Sequence, residues 1–126
     1  VPLTHRDHAH GVVFVTGHAK PGDDGTDWAA LATTAKAAKL TLVIYMGVSG
    51  VEHIASGLLG GLPTSTPVAI VQHASLPHQR EAFCTLGDLA RTVREQGMGS
   101  PAVMVVGDVI KGVASLQLPS RLARVA

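Results

Sequence analysis

Four short runs of β-forming residues, separated by helix-length segments, constrain this chain most. They are Val12 to Thr16, Leu40 to Met46, Val68 to Gln72 and Ala102 to Val106, closed or followed by Gly17, Gly47, the loop His73 to Gln79, and Gly107. Runs this short, apolar without alternation and bounded by turn residues, read as strands covered on both faces. Such strands belong to α/β sheets, whose ligands sit at strand ends. Helical signals fill the gaps. Asp27 stands where it can cap an alanine-rich helix from Trp28 to about Ala38. Val51, Ile54, Leu58 and Leu62 recur at helical spacing over Gly50 to Leu62, with Gly60-Gly61 fraying the end. Leu86-Gly87-Asp88 opens a third helix through Gln96. Arg80 to Thr85 reads as a further strand, more polar and suited to an edge. From Ile110 onward the pattern is lost. No repeat or low-complexity linker interrupts the chain, so one compact α/β domain is expected.

Bulk properties narrow the class. With 126 residues, 46% hydrophobic and 15% charged, the chain can bury a core and is not disordered by composition. A formal net charge of +1, with Lys and Arg scattered, gives no nucleic-acid footprint. No run reaches the ~18 apolar residues of a membrane helix, and no basic segment followed by an apolar one opens the chain. The single cysteine, Cys84, excludes an internal disulfide and fits a reducing compartment. Its apolar neighbours in a strand predict an inert, buried thiol. The sequence begins at Val1, not Met, and enters a dense polar motif at once; the expectation is that a longer protein has been cut here.

Candidate chemistry sits around two of the strands. Tyr45-Met46-Gly47 ends one and precedes a helix, where a glycine lets backbone and ligand approach closely. The plainer reading is a core methionine before an ordinary turn, and spacing alone favours it. Arg6 and His18 flank the first strand: the guanidinium fork suits carboxylates, and an imidazole can donate or move a proton. Against this, Arg6 can pair with Asp7 and His18 can merely end the strand. His5, His8 and His10 lack the spacing and further ligands of a zinc site, so no metal is expected. Gly57, Gly60 and Gly61 fall within or at the end of a helix rather than between strand and helix, so they form no phosphate cradle. A Gly-x-Ser-x-Gly elbow is absent.

An ordered set of blocks carries a family resemblance. It comprises Pro2-Leu3-Thr4-His5-Arg6-Asp7, Phe14-Val15-Thr16-Gly17-His18, Thr41-Leu42-Val43-Ile44-Tyr45-Met46-Gly47, Pro67-Val68-Ala69-Ile70-Val71-Gln72, Gln79-Arg80, and Pro101-Ala102-Val103-Met104-Val105-Val106-Gly107. In this order the chain resembles the C-terminal part of tetrapyrrole methylases. It is most similar to the S-adenosyl-L-methionine-dependent uroporphyrinogen III C-methyltransferases of siroheme, cobalamin and heme d1 synthesis. The resemblance implies an α/β/α sandwich with a roughly five-stranded mixed sheet. It implies a methyl donor, S-adenosyl-L-methionine, held between this domain and an N-terminal one, with the tetrapyrrole lying over an adjoining trough. Met46, Ala74 and Ala102 match donor-binding positions; Arg6, His18 and Met46 match substrate-binding ones. A cytoplasmic homodimer, with no nucleic-acid or membrane partner, is implied as well.

The sequence also departs from the family. The Gly-Pro-Gly-Asp-Pro and Gly-Gly-Asp-Pro loops of the family's N-terminal domain do not occur, and that domain holds most donor contacts and the usual acid/base candidates. No catalytic residue is therefore assigned in this chain, and residues 1–126 are expected to be a C-terminal domain inactive alone. Two alternatives stand: a methylase of a later precorrin, and a non-catalytic domain for dimerisation or partner binding.

Overall fold

A computed structural model describes residues 9–17, 25–72, 79–99 and 102–110. Five strands form one mixed sheet in the order β1-β2-β5-β3-β4. They are β1 (Gly11–Thr16), β2 (Leu40–Tyr45), β3 (Pro67–Gln72), β4 (Arg80–Thr85) and β5 (Ala102–Val106). β1 runs parallel to β2, whereas β5 runs antiparallel to both β2 and β3, and β4 antiparallel to β3. The carboxyl ends of β1, β2 and β3 therefore share one edge of the sheet with the amino ends of β4 and β5. This is the roughly five-stranded mixed sheet that the family resemblance implied.

Among the described residues, three helices cover one face. The first, α1 (Trp28–Ala38), begins where Asp27 Oδ1 accepts the Ala30 N–H at 3.0 Å. It ends at Lys39, in the left-handed region at φ 56°, whose N–H reaches the Ala35 carbonyl. After β2 come a 3-10 turn, Val48–Gly50, and α2 (Val51–Leu58). A second 3-10 turn, Leu86–Asp88, leads into α3 (Leu89–Gln96). Trp28, Ala32 and Ala35 of α1, Ile54 and Leu58 of α2, and Leu89 and Val93 of α3 bury against Leu42, Ile44, Val68, Ile70, Met104 and Val106. The other face of the sheet presents Ala69 and Val105 to Ala9, Val109 and Ile110, the last two in helical conformation.

Two expectations need correction. The second helix stops at Leu58, four residues short of the periodic pattern. The backbone over 59–62 closes as turns on Ala55, Gly57 and Leu58. α1 passes so near that a Cβ on Gly61 would lie 2.5 Å from the Thr33 nitrogen. The first strand is also not covered on both faces. It is an edge strand, and Phe14 is 60% exposed, stacked on Tyr45 with ring centroids 6.1 Å apart. A run of β-formers does not state where its strand lies in the sheet. Here β1 is outermost because β2 is the one described strand that pairs with it.

Candidate functional site

The turn after β2 is built by backbone rather than side chains. At its start the Tyr45 carbonyl accepts the Gly17 N–H at 2.6 Å, tying the end of β1 to the end of β2. In a planar trans peptide the next N–H points the opposite way. The Met46 N–H is thus directed toward the β5 side of β2, where Ala102 stands one register step beyond the Tyr45–Val103 pair. Met46 itself is left-handed, at φ 55°, a conformation uncommon for a residue other than glycine, asparagine or aspartate. Its side chain is 58% exposed, so it is not the core methionine of the plainer reading.

Gly47 was offered as a place where a ligand could approach, beside the plainer reading of an ordinary turn. Instead the protein itself uses that space. Gly47 is buried, and a Cβ there would meet Met104 Cε at 2.6 Å and Ile54 Cδ1 at 3.1 Å. On its other side lies Gly17, whose own Cβ would fall 2.5 Å from the Gly47 Cα. The residue left to face a ligand is Met46.

Ala102 opens β5 opposite Gln72 and is 8% exposed, its methyl group within the main core. What it can offer a ligand is main chain. Met46 and Ala102 thus come to one sheet edge. Arg6, His18 and Ala74 lie outside the described residues, as do His5 and His8. His18 directly follows Gly17 in the chain, and Ala74 lies two residues beyond Gln72. His10 is described and exposed; its N–H donates to the Lys39 carbonyl at 2.7 Å. Among the described residues no three His, Cys, Asp or Glu side chains gather as a metal would need.

One polar group at this edge was given no role from sequence. Gln72 is 8% exposed on the helix-covered face, and its Oε1 accepts from Arg80 Nη1 at 3.4 Å. Arg80 Nη2 donates to the Gln96 carbonyl at 2.7 Å, satisfying an end group of α3. The pair fastens both strands flanking residues 73–78 to the end of α3. Its signal was an arginine at the first position of an edge strand. A hollow of about 440 Å³ follows the β2 turn, floored by Val48, Val51 and Val93 and rimmed by Glu52, His53 and Arg94. Another, of about 390 Å³, lies at the opposite sheet edge beside Lys36, Lys39, Thr66 and Asp108.

A family model for tetrapyrrole (corrin/porphyrin) methylases matches residues 1–90. The chain belongs to this methylase family. The siroheme synthase of Nitrosomonas eutropha is 42% identical over 112 residues, covering 88% of this chain and 23% of that protein. This methylase chain thus spans about a quarter of the length of such curated relatives. The uroporphyrin III C-methyl transferase of Thermus thermophilus matches at a TM-score of 0.72 and 32% identity, over 90% of this chain and 47% of that one. The same enzyme complexed with S-adenyl homocysteine matches at 0.71 and 32%, over 87% of this chain and 47% of that one. A cobalt precorrin-4 methyltransferase reaches 0.72 at only 20% identity, over 83% of this chain and 43% of that one, a likeness of fold alone.

Proposed function

We propose that this chain is the C-terminal domain of an S-adenosyl-L-methionine-dependent uroporphyrinogen III C-methyltransferase, which makes precorrin-2. The observation that carries the reading is a contrast in identity at equal likeness of fold. The chain is 32% identical to the uroporphyrin III enzyme and 20% identical to the cobalt precorrin-4 enzyme.

The β2 turn suits the donor on physical grounds. Met46 and Ala102 can offer only backbone and an apolar surface at the sheet edge, and main-chain groups at strand ends hold ligands in α/β folds. Bound S-adenosyl-L-methionine supplies an already activated methyl group on its sulfonium. The chain's own part is positioning: Met46 and Ala102 form one wall that fixes the donor, and Ala74 is a further donor contact. Holding two reactants in line contributes several kcal/mol to lowering a barrier. Arg6 and His18 bind the carboxylates of the tetrapyrrole through charge-assisted hydrogen bonds, orienting the pyrrole carbon to be methylated. The base that removes the remaining proton belongs to the N-terminal domain of the proposed two-domain enzyme.

A transfer assay with labelled S-adenosyl-L-methionine and uroporphyrinogen III tests the reading. The protein carrying this chain behind its N-terminal domain is expected to turn over, and the 126-residue chain alone is not. Robust turnover by the chain alone would refute the two-domain dependence. Turnover of a more methylated precorrin in place of uroporphyrinogen III would assign the chain to a later step.

A further inference from the structure

We infer that Gly17 is a positioning residue for the methyl donor: its missing side chain lets the end of β1 seat on Gly47 and hold Met46 in its left-handed turn. The inference rests on the proposed donor site at Met46 and adds a residue that touches neither donor nor substrate.

Three observations converge on this contact. Gly17 and Gly47 approach backbone to backbone, so a Cβ at 17 would stand 2.5 Å from the Gly47 Cα and 2.9 Å from Ile54 Cδ1. The first of these is main chain and cannot swing aside. The Gly17 N–H also holds the Tyr45 carbonyl at 2.6 Å, which sets the plane of the Tyr45–Met46 peptide. Finally, Met46 is one of two non-glycine residues at positive φ among the described residues, and its exposed side chain offers little packing to compensate. A strained conformation persists only where its surroundings over-determine it. Here the surroundings are Gly17 against the Gly47 Cα, Ile54 touching both glycines, and Ile44 and Met104 where a Gly47 Cβ would stand.

Gly17→Ala tests the contact, and Gly11→Ala is its control. At Gly11, in the same strand, a new Cβ meets only the end of the Leu40 side chain, at 3.1 Å. In the 126-residue chain, the strong intraresidue amide–Hα NOE of a positive φ is expected at Met46 in the wild type and in Gly11→Ala, and is expected to vanish in Gly17→Ala. This arm needs no ligand, so it stands even if the proposed donor site is wrong. In the two-domain protein, Gly17→Ala is expected to raise the donor KM about tenfold and to lower kcat as the donor is held out of line, with the tetrapyrrole KM changed less than about twofold. Loss of kcat at unchanged donor KM, as from simple destabilisation, overturns the inference. So does a Met46 NOE that survives in Gly17→Ala. Should Gly17→Ala fail to fold, Gly17→Ala/Met46→Gly is expected to regain a cooperative thermal transition, since glycine lets the displaced turn take another φ. A double variant that stays unfolded overturns it as well.

Discussion

Met46 and Lys39 are the two non-glycine residues in the left-handed region among those described, at φ 55° and 56°. They are there for different reasons. Lys39 terminates α1, a position usually given to glycine, and its N–H closes on the Ala35 carbonyl. Met46 terminates a strand at the sheet edge where ligands of α/β folds gather. Glycine relieves the cost of the conformation at either site. Lys39→Gly and Met46→Gly are each expected to raise stability by about 1 kcal/mol, read from urea midpoints at unchanged slope. A loss of stability at either site would contradict the strain. None of this was legible in the sequence. Tyr45-Met46-Gly47 drew attention to the glycine, yet Gly47 has φ −104°, which any residue can adopt, and the methionine carries the unusual turn. Backbone dihedrals at one residue are set by neighbours distant in sequence, here Gly17.

At the scale of elements the sequence was more informative. Strand runs and helix caps are local signals, and α1, β4 and β5 begin and end where propensity and capping placed them. What local signals cannot carry is neighbourhood. β4 was read as an edge from its polarity, because an edge strand tolerates charge. β1 was misread because its apolar run suits a centre equally well. The packing of α3 against β4 gives a testable consequence at Cys84, half-buried between them. Burial pushes its thiol pKa above the ordinary 9.0; a hydrogen bond with Thr92 opposes the shift and nearby Asp88 adds to it. The folded state therefore favours the protonated thiol. That preference is fully expressed below 9.0 and is lost as pH rises through the higher folded value. Urea midpoints of the wild type relative to Cys84→Ser are expected to stay constant from neutrality to about 9.0 and to fall beyond it. A difference that stays flat above that pH would contradict the packing.

At the scale of the whole molecule, the described residues form one sheet with helices α1, α2 and α3 on one face, and the proposed donor site lies at an edge built from strand ends. The order of the family blocks along the chain made this architecture legible, since the blocks within the described residues fall on β1 to β5 and the turns beside them. The edge itself was legible only in part. The resemblance offered Met46 as a backbone contact and Ala102 as a further position; that the two stand opposite one another at one sheet edge was not legible. The Gln72–Arg80–Gln96 connection joins residues 8 and then 16 apart and went unseen for the same reason as the Gly17–Gly47 contact. A site formed at one edge of one sheet presents one wall. In the proposed two-domain enzyme the opposing wall comes from the N-terminal domain; the chain spans 47% of the solved Thermus thermophilus methyltransferase. Calorimetry with S-adenosylhomocysteine tests this most directly. The protein in which this chain follows its N-terminal domain is expected to bind one equivalent per domain pair at about micromolar Kd, while the 126-residue chain binds weakly or not at all. No binding by the two-domain protein would contradict the donor site and favour a non-enzymatic role for the domain.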